Sequence, residues 1–312
     1  MTVFYLILGV FLLYVGSEAL VRGGTSLSLR FRIKPLIIGL TVIAFGTSSP
    51  ELFVSVKATL AGHGNISAGD IVGSSIFNIA GILSFCALFG AIPLKKQLIK
   101  FDLPVMFLGY VLLSYFFLTG MVPRWAGVML ICLLILYLLA IYLIPKRRLL
   151  QEKEIEDEIG RPLKNVFWDL IYIFGGLAAL IYGSQEIISS AIHIAKEMGI
   201  NEGKVSLGIV AIGTSLPEVS CCLVALWYKR YDILVGNLIG SNVFNVFSVI
   251  GCAATISPIE VNQISYIDLS MMFFSGAFVF PLLQEEAKYP RFKGATLLAV
   301  YIAYFSHLIF ST

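Results

Sequence analysis

Two glutamates, Glu51 and Glu218, stand well inside long apolar stretches of the 312-residue chain. A carboxylate at such a depth costs several kcal/mol unless it is paired, protonated or bound to a cation. No lysine or arginine stands at matching depth to neutralise both; Lys57 comes six residues after Glu51, about 9 Å along a helix. A cation ligand is therefore the favoured role for both, and a protonated glutamate hydrogen-bonded inside a helix bundle is the alternative. Thr47 and Glu51 are four residues apart, as are Thr214 and Glu218, so each pair shares one helix face. Ser48 and Ser215 adjoin those faces, and Pro50 and Pro217 directly precede the glutamates. Proline removes a backbone hydrogen bond, and a broken helix at membrane depth is tolerated where the freed backbone lines a cavity or meets an ion.

A second motif supplies more oxygen. Ser74 and Asn78 are again four apart, with Ser241 and Asn245 as their counterparts. Hydroxyl and amide oxygens are hard ligands suited to sodium and calcium. Helix packing explains the neighbouring Gly73 and Gly240, but it does not explain an asparagine at that depth. No histidine or cysteine joins either group, which tells against zinc or copper. The five cysteines lie in apolar segments without Cys-x-x-Cys spacing and read as small packing residues.

These motifs are copies of each other. Ala44-Phe45-Gly46-Thr47-Ser48-Ser49-Pro50-Glu51 returns as Ala211-Ile212-Gly213-Thr214-Ser215-Leu216-Pro217-Glu218, at an offset of 167 residues. Val72-Gly73-Ser74-Ser75-Ile76-Phe77-Asn78 returns as Ile239-Gly240-Ser241-Asn242-Val243-Phe244-Asn245 at the same offset, and Gly16-Ser17 is echoed by Gly183-Ser184. One offset across three matches argues for duplication.

The elements that must position these residues are membrane helices. The chain is 58% hydrophobic and only 13% charged, more apolar surface than a soluble domain hides. Ten apolar spans are expected near 2–21, 36–60, 68–92, 102–119, 123–145, 166–193, 204–228, 232–256, 265–284 and 293–311. The fold class is all-α integral membrane, with repeats at 1–145 and 166–312 joined by a charged cytoplasmic linker at 146–165. The first stretch has no basic residue before it and reads as a retained helix, not a cleaved signal. Five spans per repeat is an odd number, so the second repeat enters the membrane inverted, an arrangement characteristic of alternating-access transporters.

Basic residues set the orientation. The connections after odd-numbered spans hold 18 of the 22 lysines and arginines, among them Arg22, Arg30, Lys229 and Arg230; the other side holds Lys57, Arg124, Lys196 and Lys204. The positive-inside rule makes the richer side cytoplasmic and both termini extracytoplasmic in a multi-pass cell-membrane protein. A net charge of +3 is too slight to imply a nucleic-acid partner; the lipid bilayer is the expected surrounding. No cofactor is expected, and no enzymatic nucleophile–base arrangement appears in the spans.

Gly-Thr-Ser-x-Pro-Glu in two copies, each followed by Gly-Ser-x-x-x-Asn, resembles the sodium/calcium exchangers of the cation/calcium antiporter superfamily. The resemblance implies exchange of Ca2+ for Na+ by alternating access, with the first and sixth helices sliding across the other eight. It implies a binding centre of Thr47, Ser48, Glu51, Ser74, Asn78, Thr214, Ser215, Glu218, Ser241 and Asn245, together with the backbone carbonyls of Ala44 and Ala211. Glu51 and Glu218 would be the main calcium ligands. Some relatives carry aspartate where this chain has Asn245, and asparagine there resembles the potassium-independent branch. The short linker lacks the large regulatory calcium-binding region of the animal proteins. Asp70, whose repeat partner is Asn237, reads as a cap of the third helix, with a place in the ion path as the alternative. Two rival functions are a proton/calcium antiporter of the same superfamily, which would use the same glutamates as proton carriers, and a cation channel.

Overall fold

The computed structural model describes residues 2–90, 92, 98–143, 162–197, 211–282 and 290–311. Most of the linker, the first part of the seventh expected span and Lys95, Lys96, Lys204 and Lys288 lie outside them.

The helices are α1 (Thr2–Arg30), α2 (Pro35–Thr47), α3 (Ser49–Leu60), α4 (Gly64–Ala87), α5 (Leu98–Leu118), α6 (Arg124–Leu143), α7 (Val166–Glu197), α8 (Ala211–Thr214), α9 (Leu216–Trp227), α10 (Tyr231–Ile256), α11 (Tyr266–Leu282) and α12 (Pro290–Ser311). Helix thus covers part of every expected span. Among the described residues, six helices are long and apolar enough to cross a membrane, and α2 with α3 makes a seventh, bent by 43°. Helices α9 and α11 are apolar but shorter. Among the described residues the strand content is one antiparallel ladder, β1 (Met121–Val122) with β2 (Ile259–Glu260), which the all-α reading did not anticipate.

Two compact units interleave along the chain, 1–48 with 140–237 and 49–139 with 238–312. The first division falls at the α2–α3 break, and each unit draws on both sequence repeats.

In the first unit, α1 and α7 pack along a seam of glycines. A Cβ on Gly9 would stand 2.8 Å from the carbonyl oxygen of Gly183, and one on Gly16 2.8 Å from that of Gly176. Seven-residue spacing keeps Gly9, Gly16 and Gly23 on one helix face. Because of this seam α1 runs to Arg30, past the expected end near residue 21. Arg22 and Arg30 are therefore helical and not in a connection. The extension is stabilised by Asp169 of α7, fully buried, which accepts from Arg30 Nε at 2.5 Å and from the Ser26 hydroxyl. A buried carboxylate requires such partners.

In the second unit, Gly127 of α6 lies close against the backbone of α10 at Gly251 and Thr255. Tyr137 of α6 donates to the buried Asp102 of α5 at 3.1 Å. The Asn65 side chain accepts the Asn262 and Gln263 N–H groups at 2.8 and 3.2 Å, which fixes the chain after β2 against the start of α4.

Candidate cation-binding residues

Both glutamate motifs fold the same way locally. Helix α2 ends at Thr47, Ser48 leaves the helical region at φ −82°, ψ 6°, and α3 restarts at Ser49. In the other copy α8 ends at Thr214, Ser215 sits at φ −87°, ψ 6°, and α9 restarts at Leu216. The chain breaks two residues ahead of each proline, which then stands in the first turn of the new helix, where its missing N–H has no intrahelical role. A Cβ on Gly46 or Gly213 would collide with an α7 side chain, Leu177 or Ile188 respectively, which would have to shift.

The second motif also repeats its geometry. A π-helical turn spans Phe77–Leu83 in α4, and another spans Asn245–Ile250 in α10. Such turns are rare and gather at functional sites.

Within the first unit, the Ser48 hydroxyl donates to Glu218 Oε1 at 3.1 Å, and the Thr47 hydroxyl donates to Asn237 Oδ1 at 3.0 Å. Asn237 Nδ2 in turn reaches Cys222 Sγ at 3.5 Å. The Ala44 carbonyl accepts the Ser48 N–H at 3.0 Å and lies 3.4 Å from the Thr47 hydroxyl. Thr214 and Ser215 are buried at the second break, and the backbone of Ala211 begins α8.

Within the second unit, Glu51 stands in the first turn of α3 and is 1% exposed, as is Glu218 in α9 of the first unit. Ser74 donates to the Asp70 carbonyl at 2.7 Å, and Asn78 Nδ2 lies 3.4 Å from Asn242 Oδ1. Ser241 and Asn245 are equally buried in α10. Oδ1 of Asn78 and both polar atoms of Asn245 have no hydrogen-bond partner among the described residues. A buried amide left so costs about 1–3 kcal/mol. Two amide oxygens at repeat-equivalent positions, each at a π-helical turn, are suited to meet a hard cation.

One expectation fails. Asp70 does not cap the third helix: α4 begins at Gly64 with His63 in the capping position, so Asp70 lies in its second turn, 6% exposed. The helix starts early because Gly62, at φ +77°, turns the chain directly ahead of it. Asn237 and Asn242 were not singled out as site residues, although both bond to residues that were. Their signal was an amide within an apolar, fully buried helix.

Apolar helices broken at buried glutamates, with hydroxyls and amides packed beside them, define a multi-pass membrane transport protein. The chain belongs to the sodium/calcium exchanger protein family, whose sequence profile matches residues 1–143 and 168–310. It is 31% identical to inner membrane protein YrbG of Escherichia coli, over 84% of this chain and 82% of that protein. It is 24% identical to sodium/calcium exchanger MaX1 of Methanosarcina acetivorans, over 96% of each. Its fold matches the sodium-calcium exchanger NCX_Mj soaked with Na+ and Ca2+, with a TM-score of 0.81 at 26% identity over 98% of both chains.

Proposed function

We propose that this protein is a secondary active transporter that exchanges Ca2+ for Na+ across the membrane by alternating access. On this reading ten spans form two inverted repeats, 1–145 and 166–312, with both termini extracytoplasmic. Glu51 and Glu218 are the main calcium ligands, and Thr47, Ser48, Ser74, Asn78, Thr214, Ser215, Ser241 and Asn245 complete the cation-binding set with the carbonyls of Ala44 and Ala211.

The observation that carries the reading is the recurrence of one local design: a helix broken at Ser48 or Ser215, then a proline and a buried glutamate. Ca2+ takes six to eight oxygen ligands with little demand on geometry, and mixed carboxylate, hydroxyl, amide and carbonyl oxygens suit it. Sodium takes the same hard oxygens, so the two cations compete for overlapping ligands, and that competition is what an exchanger requires. Asn245, neutral where some relatives are acidic, supports exchange without potassium.

Counter-transport in proteoliposomes tests the proposal. An outward sodium gradient should drive calcium uptake with or without potassium. Uptake driven by a pH gradient and indifferent to sodium would instead identify a proton/calcium antiporter, and calcium flux that needs no counter-ion would identify a channel.

A further inference from the structure

A cavity of about 330 Å³ opens in the first unit beside the last turns of α1. Arg22, Thr25 and Ser26 of α1 line it, with Leu163 ahead of α7 and Tyr228 and Arg230 from the connection between α9 and α10. Among the described residues two guanidinium groups line it, and no carboxylate does. Asp169 holds Arg30 and Ser26, and Glu18 accepts from Tyr228 at 3.1 Å and pairs with Arg22 at 3.3 Å. The wall is held in place, since the Leu163 N–H donates to Ser26 Oγ at 2.7 Å and its carbonyl accepts from Arg30 at 2.6 Å.

Thr25 points to what the cavity holds. It lines the wall, is 7% exposed, and its Oγ1 has no hydrogen-bond partner among the described residues. A buried hydroxyl donor beside two guanidinium groups fits a phosphate oxygen, which arginine binds with directed, charge-assisted bonds.

The surroundings identify the source of the phosphate. Phe167, Trp168 and Trp227 are exposed at the start of α7 and the end of α9, and exposed aromatics of this kind mark the headgroup level of a bilayer. A second groove of about 170 Å³ shares Leu163 and is lined by Lys164, Trp168 and Tyr172, which gives an apolar body with a basic rim. Along α1 the exposed Val3, Ile7, Val10, Phe11 and Tyr14 form an apolar face that leads up to Arg22.

We propose that this cavity binds the phosphate headgroup of an anionic glycerophospholipid, with Arg22 and Arg230 as its charged clamp and Thr25 as a buried donor. The site is separate from the residues assigned to cation exchange and does not depend on that assignment.

The test is thermal unfolding of the purified full-length protein in a neutral detergent. It would be titrated with dihexanoyl-phosphatidylglycerol below its micellar concentration, with dihexanoyl-phosphatidylcholine, and with sn-glycerol 3-phosphate. The phosphatidylglycerol should raise the melting temperature saturably while the phosphatidylcholine does not. Arg22→Gln with Arg230→Gln should weaken the apparent Kd about tenfold or more, Thr25→Val should weaken it less, and Lys57→Gln should leave it unchanged. Should the double variant unfold too readily to titrate, the Arg22→Gln and Thr25→Val single variants decide by the same shift in Kd. Saturable stabilisation by glycerol phosphate at equal concentration would keep the phosphate site but overturn the lipid source. Equal stabilisation by both lipids, or arginine variants that titrate like wild type, would overturn the site itself.

Discussion

The two copies of the glutamate motif agree in backbone and differ in the polar groups around it. Ser48 and Ser215 leave the helix within 5° of each other in φ and share ψ 6°, and both asparagines, Asn78 and Asn245, lie in π-helical turns. Yet the first copy carries Asp70 and Ser75 where the second carries Asn237 and Asn242. The amides of the second copy bond outward to the first, Asn237 from Thr47 and Asn242 from Asn78. Backbone breaks of the same shape thus occur twice, while the polar side chains beside them differ. The residues the copies share are those proposed to meet the ion, and the residues that differ pack beside them.

That division can be broken at several depths. The largest effect is expected from Glu51→Gln and Glu218→Gln, each of which should reduce sodium-driven calcium uptake to background in proteoliposomes while the protein still purifies as a folded species. Substantial uptake in either variant would mean that the copies are not equivalent.

Asn245→Leu is next. Both polar atoms of Asn245 are buried without a hydrogen-bond partner among the described residues, so an apolar replacement of similar size should leave the melting temperature unchanged or raised. Exchange should fall about tenfold, the scale of losing a metal-site oxygen. A large drop in melting temperature without a transport defect would make Asn245 structural.

Thr47→Val removes the donor to Asn237 and should cost about 0.5–1.5 kcal/mol in denaturant unfolding. Asn237→Ala alone should cost more, since it also loses the Cys222 contact and leaves a cavity, and the double variant should cost less than the sum of the two, because the shared bond is lost only once. Additive losses would show that the 3.0 Å contact carries little energy.

Asp70→Asn gives the first copy the residue of the second. It should change the sodium dependence of transport only about two- to fivefold, a charge effect without loss of a ligand. A complete loss would promote Asp70 to a main ligand.

Much of this arrangement was legible in the sequence, because membrane helices announce themselves by length and apolarity and the motifs recur at one offset. The break at each Thr-Ser could be expected from the prolines, though not its position two residues ahead of them. What escaped notice depends on tertiary partners. Arg22 and Arg30 end the apolar window of α1, so apolarity alone stops the helix early; its continuation rests on close backbone approach at Gly23 and on the buried Asp169, over 130 residues away. Asp70 looked like a cap because acids favour helix starts, but the turn at Gly62 set the start earlier. Asn237 has no partner within its own segment that a pattern could reveal, since its donor Thr47 lies 190 residues away.

The proposed role of Glu51 and Glu218 as calcium ligands is tested by calorimetric titration of calcium into the purified protein and its Glu51→Gln and Glu218→Gln variants at low and high sodium. Saturable binding that sodium weakens is expected in the wild type, and no measurable binding in either variant, although both should melt as cooperatively as the wild type without calcium. Calcium affinity undiminished in either variant would contradict it.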